Sequence, residues 1–152
     1  YRRSIYTFWK RTVPSPMLKT FDAPEREFCT TRRSRTNTPL QALALLNGPQ
    51  FVEAARRLAE RMLSEGGQTL NERITYGFRL VTARVPVQSE LTLLRSSYTE
   101  NLKNFKTNQS TAHKLLKVGD SPYNTRLNIS KLAAMTSVAR LLLNLNETVT
   151  KG

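Results

Sequence analysis

Thr38-Pro39-Leu40-Gln41-Ala42-Leu43-Ala44-Leu45-Leu46-Asn47-Gly48-Pro49-Gln50-Phe51-Val52-Glu53-Ala54-Ala55-Arg56-Arg57-Leu58-Ala59-Glu60-Arg61-Met62-Leu63-Ser64-Glu65-Gly66-Gly67 decides the fold class. Thr38 followed three residues later by Gln41 is a capping-box pattern, with Pro39 at the first helical position, where its missing N–H costs nothing. The helix it starts carries Leu40, Leu43, Leu45 and Leu46 and stops at Asn47-Gly48. Pro49 opens a second helix. Its apolar positions, Phe51/Val52, Ala55, Leu58/Ala59 and Met62/Leu63, recur at the three-to-four spacing of one buried stripe, and Gly66-Gly67 ends it. Two amphipathic helices joined by a tight turn make an α-hairpin.

The same punctuation continues outward. Thr69 caps a third helix, with Leu70, Ile74, Phe78 and Val81 on one side and Pro86 beyond its end. A fourth carries Leu91, Leu94, Tyr98, Leu102 and Phe105, and a short fifth holds Ala112, Leu115 and Leu116 before Gly119. Residues 120–125, with Ser121-Pro122 among them, read as a loop. A last helix from Asn128 or Ser130 carries Leu132, Met135, Val138/Ala139, Leu142 and Leu145. Residues 1–37 differ: β-branched and aromatic residues alternate briefly at Ile5 to Trp9 and again around Phe28, Thr30 and Thr31, which allows an extended arm or a short β-pair. Asp22-Ala23-Pro24-Glu25 reads as a further helix start. The expected fold is mainly α: a helical domain of five or six helices over 38–152, with a basic, partly extended N-terminal arm over 1–37.

The chain has 152 residues, the size of one domain. It has 24 Lys and Arg against 11 Asp and Glu, a formal charge of +13, which points to an anionic partner. Residues 1–35 hold nine of those cations and three acids; the remaining net charge reads as spread over helix faces among acids. No apolar run approaches the ~18–20 residues of a membrane span. One cysteine, Cys29, excludes an internal disulfide, a multi-Cys zinc site and a Cys-x-x-Cys-His haem attachment within this chain. One histidine, His113, excludes any two-His site, and no metal site is expected. Arg2-Arg3 without an apolar stretch behind it is no signal peptide.

Several strings carry a family likeness: Arg2-Arg3-Ser4-Ile5-Tyr6-Thr7-Phe8-Trp9-Lys10-Arg11, Phe21-Asp22-Ala23-Pro24-Glu25-Arg26-Glu27-Phe28-Cys29, and above all Arg32-Arg33-Ser34-Arg35-Thr36-Asn37-Thr38-Pro39-Leu40-Gln41-Ala42-Leu43. With Phe51-Val52-Glu53-Ala54-Ala55-Arg56, Leu132-Ala133-Ala134 and Leu142-Leu143-Asn144-Leu145, the chain resembles the C-terminal part of the planctomycete-type family called domain of unknown function 1553. Gly48, Val87 and Asn146-Glu147-Thr148 depart from that family's pattern. The resemblance implies a longer, extracytoplasmic protein, often with a cytochrome-c-like module upstream, so that any haem belongs to that module and none to this fragment. It implies no catalytic residue, because the family's activity is unassigned.

Arg32, Arg33 and Arg35, with Asn37 and the helix start at Thr38, form a candidate anion site, since guanidinium forks suit phosphate, sulfate or carboxylate. The structural alternative, which is preferred, pairs these arginines with Asp22, Glu25 and Glu27 to pin the arm. The carboxylates as a glycosidase-type acid/base pair, Cys29 as a nucleophile, and Tyr6, Phe8 and Trp9 as a sugar platform are the weaker enzyme readings. The hairpin also has the layout of a helix-turn-helix with Arg56, Arg57 and Arg61 on its second helix. Glu53, Glu60 and Glu65 interleave with them, as on a solvated face of i,i+4 pairs. The expected function is therefore an accessory or interaction domain whose partners are upstream domains of the same polypeptide. Polyanion or nucleic-acid binding by the N-terminal region and a carbohydrate-handling module are the alternatives.

Overall fold

A computed structural model describes residues 4–10, 13–24, 28–32 and 36–150. Among them lie a 3-10 turn at Ser4–Tyr6 and eight α-helices: α1 Pro16–Thr20, α2 Pro39–Asn47, α3 Pro49–Glu65, α4 Leu70–Thr82, α5 Gln88–Thr107, α6 Gln109–Leu116, α7 Ile129–Leu143 and α8 Asn146–Val149. The protein is mainly α. No strand occurs among the described residues, so the β-pair that the N-terminal alternation allows is not formed there. The chain divides into two compact units, Tyr1–Ala44 and Leu45–Gly152, and the border falls inside α2.

In the larger unit the centre is α7, against which α3, α4, α5 and α6 all pack. Leu132, Ala133, Ala134, Met135, Val138, Ala139 and Leu142 are completely buried, and Thr136 with them, its hydroxyl donating to the Leu132 carbonyl at 2.8 Å. A helix buried over so much of its circumference is a core element. The alanines of α7 face a partner that is also small-sided, because Ala55 and Ala59 of α3 are fully buried too, and these two helices make the largest contact in the unit. Ile74 and Phe78 from α4, Leu94, Tyr98 and Phe105 from α5, and Ala112 and Leu116 from α6 complete the core. At Gly77 a Cβ would lie 2.5 Å from the Met62 sulfur, so α4 comes close to α3 only where it carries no side chain.

Local chemistry sets the helix ends. Thr69 Oγ1 accepts from the Glu72 N–H at 3.2 Å while the Glu72 carboxylate accepts from the N–H groups of Thr69 and Gln68, at 3.1 and 2.8 Å. Asn108 and Asn128 cap α6 and α7 through their side-chain oxygens. At α5 the N-cap is Val87, which has no side-chain oxygen to offer, and half a box remains: Glu90 accepts from the Val87 N–H at 2.8 Å.

The interleaved charges of α3 do not form one solvated face. Arg61 and Glu65 do pair in solvent at 3.1 Å. Arg56, in contrast, is fully buried, with Glu53 and Glu60 buried on either side at 3.9 and 3.7 Å. The reason is the segment after Gly119, which covers this part of α3. Arg56 Nη2 donates to the Ser121 carbonyl at 2.7 Å and to Ser121 Oγ at 3.1 Å. Glu53 accepts from the Asp120 N–H at 2.7 Å and from the Ser121 hydroxyl, and Glu60 accepts from the Asn124 N–H at 3.0 Å. Gly119 makes the approach possible: its φ is +100°, and a Cβ there would collide with the Glu53 carboxylate.

A second charge cluster joins the α4–α5 turn to α8. Arg84 donates to both carboxylate oxygens of Glu90 at 2.9 and 2.7 Å and to both of Glu147 at 2.9 and 2.8 Å, with its guanidinium 4.8 Å from the Phe78 ring centre. The Arg84 bonds, helped by the Val87 N–H, hold the Glu90 carboxyl down at about 2.

Two outcomes follow from these clusters. Arg56→Ala removes the buried cation between Glu53 and Glu60 and is expected to cost about 3–5 kcal/mol in urea unfolding. Arg57→Ala, which removes a half-exposed partner of Glu60, should cost under about 1 kcal/mol. Equal effects would mean that Arg56 is not the buried counter-ion. For Glu90, a folded pKa below the ordinary 4.5 contributes stability that is present above 4.5 and lost as pH falls toward about 2. The urea midpoint of Arg84→Ala should therefore fall less steeply than the wild type's across that window, and parallel curves would count against the assignment.

Candidate functional site

In the smaller unit, α1 starts with Pro16 and ends in a Schellman turn. The Ala23 N–H reaches back to the Leu18 carbonyl at 3.0 Å and the Asp22 N–H to that of Lys19 at 3.2 Å. Asp22 occupies the left-handed position of this turn, with φ 56°. Glycine is usual there, and Asp is among the few other residues that visit the region. Asp22 thus closes a helix and does not start one. Ala23 and Pro24 after it are not helical, and Glu25 lies outside the described residues.

The turn delivers the Asp22 carboxylate to the segment before α2. It accepts from the Thr36 N–H at 2.9 Å, from Thr36 Oγ1 at 2.8 and 2.9 Å, and from Gln41 Nε2 at 3.3 Å. Gln41 is buried, 3% exposed, and its amide is used at both ends. Nε2 also donates to the Thr20 carbonyl and to Thr36 Oγ1, both at 2.9 Å. Oε1 accepts from the Thr38 N–H at 3.1 Å, while Thr38 Oγ1 accepts from the Gln41 N–H at 3.3 Å. The capping box at Thr38 and Gln41 therefore does two tasks: it starts α2, and its glutamine ties the end of α1 to that start. The positive end of α2 favours the nearby carboxylate.

Of the candidate cluster, the structure brings Asp22 and Thr38 into this knot. Arg32 and Asn37 are exposed. Arg33, Arg35, Glu25 and Glu27 lie outside the described residues. Thr36 and Gln41, which hold the knot together, belong to the quoted motif but carry no chemical signature of their own. Only the Thr-x-x-Gln spacing marks Gln41, and it marks a local cap, not the bonds to Thr20 and Asp22. The Asp22 carboxylate is thus held by the Thr36 N–H and hydroxyl and by the Gln41 amide.

The remaining candidates are dispersed. Cys29 is exposed. His113 belongs to the larger unit, where its Nδ1 lies 3.3 Å from the Tyr123 hydroxyl. Tyr6 and Phe8 are exposed, and Trp9 lines a cleft of about 380 Å³ with Leu18 and Phe21. In the larger unit the exposed side of α4, with Thr75, Tyr76, Arg79 and Leu80, lines a cleft of about 630 Å³. Tyr76 at its edge donates to Glu65 and accepts from Arg61 Nη2 at 3.0 Å, and Arg61 above all, then Tyr76, holds the Glu65 carboxyl below its ordinary value. Among the described residues no group of His, Cys, Asp and Glu could hold a metal ion, and no helix is long and apolar enough to cross a membrane.

Asp22→Ala removes the acceptor and retains an unfavourable φ. It should loosen the smaller unit by about 1–2 kcal/mol, after discounting for partial exposure. Hydrogen exchange at the Thr36 and Gln41 amides reads this directly. Acceleration at both is expected, and unchanged exchange would remove the brace.

Residues 1–98 match the family described as PSD1: Protein of unknown function (DUF1553). No curated protein and no solved structure matches the chain. The family match covers more than half of the 152 residues, including the Asp22, Thr36, Thr38 and Gln41 knot and the whole of α3, and on that ground the chain belongs to the DUF1553 family.

Proposed function

We propose that the chain is an accessory interaction module of a larger extracytoplasmic protein, and that its smaller unit docks against another domain of the same polypeptide. One observation carries the reading: the smaller unit leaves large apolar side chains in water. Ile5, Tyr6, Phe8, Phe28, Leu40 and Leu43 are each more than half exposed. Exposed apolar surface on this scale in a unit of 44 residues marks a surface meant to be covered. The candidate acid at Asp22 is engaged in the knot, which supports bracing over catalysis. The α3 cations also argue against a groove-reading helix, because Arg56 is buried and Arg57 and Arg61 are paired. Any haem belongs to an upstream module.

The test compares the chain alone with the chain preceded by its native upstream sequence. Hydrogen exchange over residues 4–10 and 28–32 should slow by about tenfold or more in the longer protein. Exchange that is the same in both would overturn the docking role.

A further inference from the structure

The charge outside the N-terminal region is not evenly spread. Between residues 101 and 131 stand Lys103, Lys106, Lys114, Lys117, Arg126 and Lys131, against a single acid, Asp120. All six cations are exposed, and none takes part in an ion pair among the described residues. They sit at the end of α5, on and just after α6, in the following loop and at the start of α7. Lys103 and Lys106 flank Phe105 near the end of α5, and the Phe105 carbonyl accepts from Ser130 Oγ at 3.2 Å, beside Lys131 at the start of α7. Lys114 lies in the last turn of α6 and Lys117 just past its end, α6 follows α5 after a single residue, and Tyr123 ties the loop to α6 through His113. Like charges held together without counter-ions raise the local potential and attract an anion.

Beside them is a cleft of about 410 Å³ lined by Lys117, Ser121, Pro122, Tyr123 and Thr125, with Asp120 at its edge. Its floor is fixed, because Asp120, Ser121 and Asn124 are bonded to Glu53 and Glu60 beneath. We propose that this part of the larger unit binds an acidic polysaccharide. The half-buried Tyr123 ring, its hydroxyl held by His113, offers an apolar face to one sugar ring. Thr125 and Asp120 serve its hydroxyls, and Lys117 and Lys114 take the carboxylate or sulfate substituents, with the other cations meeting those of neighbouring sugars. Lysine suits this role because an ammonium is a point charge without the planar matching of a guanidinium. Single-stranded nucleic acid fits less well: it needs successive stacking aromatics, and Tyr123 stands alone with one arginine. An anionic lipid surface fits less well too, since no large apolar side chain between 101 and 131 is exposed for insertion.

The site lies wholly within 45–152 and stands whether or not the smaller unit docks as proposed. The test is a titration of the whole chain with polygalacturonate, dextran sulfate, neutral dextran and a single-stranded DNA of matched charge. Binding is expected to one or both acidic polysaccharides, which separates carboxylate from sulfate, to weaken with added salt, and to be absent with neutral dextran. Lys114→Gln with Lys117→Gln should weaken it about tenfold, and Tyr123→Ala about fivefold or more, while Tyr123→Phe, which keeps the ring, should retain it. Thermal unfolding of each variant separates lost binding from lost fold. Should Tyr123→Ala prove unfolded, the Lys pair and Tyr123→Phe decide. No binding to either acidic polysaccharide overturns the proposal. So does DNA binding of equal strength, or binding indifferent to the lysines.

Discussion

The burial of the middle of α7, from Leu132 to Ala139, is the constraint on which the larger unit rests. A helix that exposes none of its middle turns has to be surrounded, and α3, α4, α5 and α6 are the surround. The small side chains that let it sit so close, Ala133, Ala134 and Ala139 against Ala55 and Ala59, leave little room for error, since a single added methyl group in a packed core is felt. Because α7 and α3 meet along alanines, α3 has to accept burial on more than its apolar stripe. Its neighbouring faces carry Glu53, Arg56 and Glu60, and the chain buries all three under a loop that bonds both carboxylates and Arg56 Nη2, leaving Arg56 Nε and Nη1 to the charge of the glutamates alone.

Charge in this protein thus serves three ends. Some of it is internal mortar, as at Arg56 between its two glutamates and at Asp22 in the smaller unit. Some joins elements at the surface, as at Arg84, where one planar guanidinium satisfies two carboxylates from different helices. The six cations between residues 101 and 131 are committed to neither. The formal charge of +13 is therefore a sum over groups with different physical roles, and only the uncommitted part bears on partners.

What the sequence makes legible is what is decided locally. Thr38, Gly48-Pro49, Thr69 and Asn128 mark real helix boundaries because a cap or a proline acts within four residues of itself. The apolar stripes of α3 and α4 are legible for the same reason. Arg56 is not, since an i,i+4 pattern with glutamates looks the same whether solvent or a loop 65 residues further along lies over it. Asp22 misleads in the opposite way: Asp followed by Pro is a helix-start pattern, yet the turn is fixed by the preceding helix and by Thr36 and Gln41, 14 and 19 residues later. The site was legible as a motif and illegible as a geometry, because the glutamine that centres it looks like an ordinary cap.

The loop over α3 is gripped mainly by its main chain. Glu53 and Glu60 take the N–H groups of Asp120 and Asn124, and Arg56 takes the carbonyl of Ser121. The side chain at 120 is then released from any part in that grip, while Asn124 Oδ1 also accepts from the Arg126 N–H at 3.0 Å. Evolution can vary the rim of the adjoining cleft at position 120 almost freely, with proline barred because it has no N–H to give. Anchorage and recognition are carried by different atoms of the same few residues, so related chains could exchange one ligand for another without renegotiating the fold beneath.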